Sequence, residues 1–304
     1  MEYVLESNGL SKRYRNFTAL DGLNMHIPKG SIYGFVGRNG AGKTTLIRLI
    51  CGLQEPTGGS FTLYGIENTD RKINRSRRRM GAVIETPSIY LNMTAKENIR
   101  QQCLVLGTPS ESGIDGILRL VGLGDTGKKK AKDFSLGMRQ RLAIAVALAG
   151  NPDFLVLDEP VNGLDPQGII EIRELILKLN KEHGITVLIS SHILDELAKL
   201  ATHYGFIDGG RMITEMSADE LDKRCRKCVR IEVSDAKALV LVLDSMGAEY
   251  SINDGESADI FADIPVTQLV TELAKVGCTV RSIRERDESL EGFYMNLMGG
   301  ERHA

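Results

Sequence analysis

Gly37-Arg-Asn-Gly-Ala-Gly-Lys43-Thr44 sets three glycines, a lysine and a hydroxyl residue at the spacing of a phosphate-binding loop. Glycine lets the chain turn tightly and aim backbone N–H groups at phosphate oxygens with no side chain between them. Lys43 is placed to reach the β- and γ-phosphates, and the Thr44 hydroxyl to bind Mg²⁺. The flanks fit this reading. Ile32 to Val36 is an apolar run that reads as a buried strand, and Leu46, Leu49, Ile50 and Leu53 recur at helical spacing. A helix starting near Gly42 adds the positive end of its dipole. Gly37, Arg38, Asn39, Gly40, Ala41, Gly42, Lys43, Thr44 and Thr45 are therefore expected to bind nucleotide.

A second centre is Phe154-Leu-Val-Leu-Asp158-Glu159-Pro160, an apolar strand that delivers two adjacent carboxylates at its C-terminal end. Ligands bind at that end in open α/β sheets. Asp158 is suited to hold Mg²⁺, and Glu159 to polarise an attacking water as general base. A strand ending in solvated acids is common, so the pair gains its meaning from the phosphate loop. Phe134-Ser135-Leu-Gly137-Met-Arg-Gln140-Arg141 opens a helix whose Leu142, Ala145, Val146 and Ala149 make one apolar face. Ser135 reads as its N-cap, which leaves a helix end able to take an anion or serve as an ordinary capped start.

The elements that must position these residues follow an alternating pattern. Phe61–Tyr64, Gly81–Ile84, Phe154–Leu157 and Ile185–Ile189 read as strands of a parallel α/β sheet, separated by helical signals. From Glu85 to Gly150 helical patterning replaces strand signals, which implies a helical insertion over about 86–150. Gly205-Phe-Ile-Asp-Gly-Gly210-Arg-Met-Ile-Thr reads as a closing hairpin. After the polar stretch Ala218–Lys227, strands at Arg230–Val233, Ile260–Ala262 and Thr279–Ile283 are expected. Helices at Ala236–Met246, Val266–Val276 and Leu290–Leu297 accompany them. The expected organisation is an ATP-binding domain over 1–217 and a small α/β domain over 228–304.

Composition narrows the function. The 304 residues carry a net charge of -2, which argues against a general nucleic-acid binder. No apolar run reaches the ~18–20 residues that span a bilayer, so any role at a membrane goes through a partner. Met1–Gly9, with two glutamates, lacks a signal-peptide pattern. Five cysteines fit a reducing cytosol; Cys225-Arg-Lys-Cys228 has C-x-x-C spacing but no second pair or flanking histidine to complete a zinc site. Arg71, Lys72, Arg75, Arg77, Arg78 and Arg79 read as a solvated helix face or a contact for an acidic partner, and Lys128–Lys132 as solvated charge.

The Ser135-Leu-Gly137 helix, standing just ahead of the Asp-Glu strand, resembles the signature motif of ATP-binding cassette ATPases. Leu136 stands where the family usually has glycine, and Met138 replaces its glutamine. The resemblance covers about residues 2–215 in five ordered motifs. It implies that Ser135 and Gly137 bind the γ-phosphate of ATP held by a second subunit. It implies that Tyr14 stacks on adenine, that Leu164-Asp165 forms a dimer contact, and that His192 after Ser191 meets the γ-phosphate and the attacking water. Lys43, Glu159 and His192 are then the catalytic residues, and Tyr14 and Asp165 join the nucleotide site. ATP and Mg²⁺ are the implied cofactors, with Thr44, Asp158 and Glu85 on the metal.

Glu85 departs from the glutamine that the family has at this strand end. Gly81-Ala-Val-Ile-Glu85-Thr-Pro87, together with Ser-Leu-Gly-Met-Arg-Gln-Arg, resembles the single-cassette ATPases of bacitracin and lantibiotic exporters. Glu288-Ser-Leu-Glu-Gly-Phe-Tyr-Met-Asn-Leu is similar to a tail of such drug-export ATPases. The expected function is ATP hydrolysis that drives a separate transmembrane permease to export a peptide antibiotic or drug. Two cassettes, as a homo- or heterodimer, would sandwich two ATPs on the cytoplasmic face of the membrane. Alternatives are a soluble cassette ATPase not coupled to transport, a small-molecule kinase and a non-catalytic regulatory subunit. The first calls for a tandem cassette or coiled-coil insert, the second has no use for Ser135–Gly137 or His192, and Glu159 and His192 argue against the third.

Overall fold

Two long strands, Tyr3–Tyr14 (β1) and Phe17–Pro28 (β2), open the fold as an antiparallel pair. In β2, Leu23, Met25 and Ile27 are buried while Asn24 and His26 are exposed, the alternation of a sheet with one wet face. The strand Ile32–Val36 (β3) is buried throughout and leads into the helix Lys43–Ile50 (α1). The helix ends there: Leu53, expected on its apolar face, lies beyond the turn at Gly52 and is exposed. Gly58–Leu63 (β4) and Ile66–Glu67 (β5) pair next to β1, giving an antiparallel sheet of order β2-β1-β4-β5. The sequence places Phe61–Tyr64 among the parallel strands, and the structure instead assigns Phe61 to this antiparallel sheet.

The main sheet forms from Met80–Val83 (β6), Phe154–Asp158 (β7), Thr186–Ser191 (β8), His203–Asp208 (β9) and Arg211–Ser217 (β10), together with β3. Its order is β10-β9-β3-β8-β7-β6, parallel except for the β9–β10 hairpin at one edge. The short helix Ile73–Arg77 (α2) precedes β6. Between β6 and β7 the chain is helical: Ala95–Leu106 (α3), Ile114–Leu120 (α4) and Leu136–Leu148 (α5). Thr94 starts α3 with a capping box, its Oγ1 accepting from Glu97 N while its own N–H donates to Glu97 Oε2. Pro166–His183 (α6) and Leu194–Ala198 (α7) flank β8. Phe35, Val156 and Leu188 of the parallel sheet, Leu46 and Ile50 of α1, and Leu10 and Met25 of the antiparallel sheet share one core.

The computed structural model describes residues 2–108, 113–225, 228–254, 257–261, 264–286 and 290–299. It divides into two units, Met1–Ala218 and Asp219–Ala304. The polar stretch after Ser217 is not a plain linker, because Ala218–Arg224 (α8) is helical. The second unit runs Cys228–Val233 (β11), Ala236–Ser245 (α9), Tyr250–Asp254 (β12), Ser257–Ile260 (β13), Val266–Lys275 (α10) and Val280–Arg286 (β14). Its sheet, of order β12-β13-β11-β14, is antiparallel throughout, and Ile231, Val233, Ala258 and Ile260 share a core with Leu239, Leu243, Leu269 and Leu273 of the helices. This is the split βαβ arrangement. A last helix, Leu290–Gly299 (α11), follows. Ala262, Glu288 and Ser289, which the sequence reading used, lie outside the described residues.

One contact sets a demand at the junction of β3 and the hairpin. Tyr33 is 1% exposed and donates to Glu215 Oε1 at 2.5 Å, and burial above all, then Glu215, pushes its phenol pKa well up. A Cβ at Gly205 would lie 2.2 Å from that phenol oxygen. Gly205→Ala is therefore expected to cost about 1–3 kcal/mol by overpacking, read as a lower urea midpoint of the intact protein. An unchanged midpoint would show that the phenol can move aside freely.

Candidate nucleotide site

The parallel sheet brings the two chemical centres together because β8 lies between β3 and β7. Val36 pairs with Ser191, and Asp158 with Ser190, so the phosphate loop after β3 and the carboxylates ending β7 emerge at the same edge. Gly42, at φ 111°, starts α1; a Cβ there would meet Ala19 O at 2.6 Å, so glycine is required. Lys43 follows, only 6% exposed. Its ammonium donates to Gly37 O at 2.6 Å and Arg38 O at 3.3 Å, and lies 3.4 Å from Glu159 Oε1. A cation so buried needs such partners, and they hold it at the centre of the loop.

Glu159 is fixed by its backbone. Its φ of 51° is rare for a residue with a side chain, and its N–H donates to Ser190 O at 3.1 Å and Ser190 Oγ at 3.0 Å. The carboxylate then reaches both Lys43 and His192, whose Nδ1 lies 2.7 Å from Oε2. Asp158, 1% exposed, turns the other way: Oδ2 accepts from Thr44 Oγ1 at 2.8 Å and Oδ1 from Ser190 Oγ at 2.5 Å. The two neighbouring acids thus have separate partners. Asp158 and Thr44 offer hard oxygen ligands side by side, a donor set that suits Mg²⁺ shared with phosphate oxygens. Among the described residues no group of three or more His, Cys, Asp or Glu could hold a metal ion.

These residues line one open cleft of about 450 Å³: Arg38, Asn39, Gly40, Gly42, Lys43, Thr44, Thr45, Glu159 and His192, with Phe17, Ala19 and Asn162. Sequence reasoning missed four contributors: Ser190, Phe17, Ala19 and Asn162. Ser190, which ties Asp158 to the Glu159 backbone, was visible only as a polar residue inside an apolar strand. Phe17 and Asn162 lie outside the motifs, on a hairpin tip and a loop. Gly37 and Ala41 complete the loop behind the cleft, both buried.

Two residues expected at the nucleotide or its metal, Tyr14 and Glu85, do not line the cleft, and the residues expected to serve a second copy's ATP stand apart from it. Tyr14, expected against adenine, is held by its hydroxyl on Gln54 Oε1 and does not line the cleft. Glu85, expected on the metal, instead accepts from Arg48 Nη2 at 2.6 Å, because at φ 56° the chain turns its carboxylate toward α1. Ser135, Gly137 and Asp165 form a second cluster. Ser135 caps α5 by accepting from Met138 N at 3.2 Å, and Asp165 caps α6 by accepting from Gly168 N at 3.1 Å. Leu136 and Leu164, their neighbours, stand close against Gly163 and Gly137. This cluster is not part of the chain's own cleft.

The class of protein follows from comparison with known ones. The ABC transporter family matches residues 20–162. A nucleotide-free ATP-binding cassette from an ABC transporter superposes with a TM-score of 0.67 at 26% identity, over 74% of this chain and 94% of that one. A dimeric cassette bound to ADP and Pi gives 0.63 at 26% identity, over 70% and 98%. The chain belongs to the ABC transporter ATP-binding proteins and hydrolyses ATP. Within them it is similar to a bacitracin transport ATP-binding protein of Enterococcus faecalis, 40% identical over 99% of this chain and 98% of that one. It is also similar to a lantibiotic transport ATP-binding protein of Streptococcus pyogenes, 45% identical over 71% and 92%.

The geometry separates binding from turnover. Lys43→Ala removes the buried cation of the loop and is expected to abolish ATP binding. Glu159→Gln keeps the shape but removes the carboxylate expected to act as base, and a general base typically contributes ~10²–10⁴-fold in rate. ATP affinity should survive while hydrolysis falls by about that factor. Nucleotide titration and phosphate release on both variants check this, and wild-type turnover by Glu159→Gln would remove Glu159 from the role.

Proposed function

We propose that this cassette powers export of a peptide antibiotic or drug through a separate membrane-spanning permease, giving its host resistance or immunity. The observation that carries the reading is the extent of the likeness. The bacitracin transport relatives match along 99% of this chain, including the small second unit, whereas the solved cassettes match only about three-quarters of it. No helix among the described residues is long and apolar enough to cross a membrane, so conduction needs a partner. The cassette would then work from the cytoplasmic face.

In this reading the residues divide the work. Lys43 and the backbone N–H groups after Gly37 bind the phosphates and offset their charge. Thr44 and Asp158 would hold Mg²⁺, which would supply positive charge against the negative charge that develops on the phosphates. Glu159 accepts the proton of the attacking water, and His192 holds the Glu159 carboxylate in place from its other side. Ser135 and Gly137 serve the γ-phosphate of a second copy's ATP, which accounts for their separation from their own cleft.

One groove supports a docking site for the permease. A groove of about 350 Å³ runs along the edge strand β6 toward α3 and α5, lined by Met80, Val83, Ile84, Leu106 and Val146 and rimmed by Arg77 and Arg78. Glu85 follows Ile84 at the end of this groove and pairs with Arg48 on α1, the helix of the phosphate loop. That pair links the docking edge to the nucleotide and makes Glu85 a coupling residue.

Removing the gene should leave its host more sensitive to a peptide antibiotic, by several-fold in the inhibitory concentration. Re-expression of the wild type should restore resistance and Glu159→Gln should not. Unchanged sensitivity to bacitracin-like and lantibiotic peptides on removal would overturn the assignment of the cargo.

A further inference from the structure

Three polar residues lie buried in the otherwise apolar strand β8, and two of them serve the fold. Thr186 accepts from Gly30 N at 2.9 Å, which fastens the turn before β3. Ser191 accepts from Ile193 N at 2.9 Å and closes the turn that leaves the strand. Ser190 has partners of another kind. It is fully buried, and its hydroxyl donates to Asp158 Oδ1 at 2.5 Å and accepts from Glu159 N at 3.0 Å. Satisfying the backbone does not require that hydroxyl, since the Glu159 N–H also reaches Ser190 O at 3.1 Å.

We infer that Ser190 is a positioning residue for ATP hydrolysis, which aims the Glu159 carboxylate by fixing the backbone that carries it. A hydroxyl rotates to suit its surroundings, and its oxygen accepts from one side only when its proton is taken on another. The Asp158 carboxylate takes that proton, so the lone pairs face the Glu159 N–H. Asp158 is itself held through Oδ2 by Thr44. Glu159 needs the restraint, because at φ 51° it keeps a conformation that residues with side chains adopt only at a cost. With the hydroxyl removed, one backbone bond would hold this peptide. Rotation there would swing the carboxylate off the Lys43 ammonium at 3.4 Å and His192 Nδ1 at 2.7 Å. This role, which rests on Glu159 being the base, governs how fast bound ATP is cleaved. It leaves the grip on ATP alone, because Lys43 stays on Gly37 O and Arg38 O.

The test compares full-length wild type, Ser190→Ala, Ser190→Cys, Glu159→Gln and the Ser190→Ala, Glu159→Gln double variant. Each is taken through Mg²⁺-ATP titration, single-turnover hydrolysis and urea unfolding. Ser190→Cys fills nearly the same space with a weak donor and weak acceptor, which separates hydrogen bonding from packing. Both Ser190 variants should lose about 10–100-fold in the cleavage rate, the scale of a misplaced catalytic group. Their ATP affinity should stay within about 3-fold of wild type, the pattern of an interaction that matters to the transition state alone. A merely structural role would lower the urea midpoint and leave the rate per bound ATP unchanged. In the Glu159→Gln background, Ser190→Ala should cost less than about 3-fold more, because residues that act as a unit are not additive. Wild-type cleavage by either Ser190 variant, or a fully additive loss in the double variant, would overturn the role. Wild-type cleavage by Glu159→Gln would instead bring down Glu159 as the base, and the role of Ser190 with it.

Discussion

A buried lysine beside a glutamate is the contact on which the rest of this structure depends. Lys43 is almost fully covered, and its charge is met by two backbone carbonyls and the Glu159 carboxylate. Those groups come from strand ends separated by more than a hundred residues of sequence, with β8 between them in the sheet. The register of three parallel strands is therefore a functional constraint. A one-residue slip of β7 against β8 would send Asp158 and Glu159 to opposite faces, and would part Asp158 from Ser190 and Thr44. The continuous apolar burial of β3, β7 and β8 makes such a slip costly, and Ser190 pins the last rung by bonding to both acids' positions.

The same arrangement explains how one strand end can present two adjacent carboxylates to different tasks. Successive residues on a strand point to opposite sides, and the left-handed turn at Glu159 adds to their divergence. Asp158 goes to the Thr44 hydroxyl, and Glu159 to Lys43 and His192. In the proposed function this leaves one acid for a cation and the other for a water. Chemistry of this kind is mostly positioning and charge, and the sheet supplies both.

Much of this was legible in the sequence, and the parts that were not share a cause. The phosphate loop, the Asp-Glu strand and the strand before His192 are local signals, in which the residues that act are those that shape the backbone. The family and the ATPase activity followed from them. The two strands β1 and β2 were missed because register shifts at several points break their alternation. Phe61 was placed in the wrong sheet because a short apolar run carries no mark of parallel or antiparallel pairing. Tyr14 and Glu85 were expected in the cleft from their place in the motif order, but side-chain direction depends on tertiary partners, Gln54 for one and Arg48 for the other. Phe17 escaped notice for the converse reason, since a lone phenylalanine reads as packing until the cleft beside it is seen.

Ser135 and Gly137 open α5 outside the cleft that holds Lys43, together with the loop at Leu164 and Asp165. In the proposed function a complete site joins the loop of one copy to the α5 start of another. Mixing two defective proteins tests this most directly. Ser135→Arg should block hydrolysis while the monomer still binds ATP, and Lys43→Ala should be inactive through loss of binding. A mixture in which each copy keeps the part the other lacks should recover partial ATPase activity through one intact composite site. A mixture that dimerises yet stays inactive would contradict the shared site.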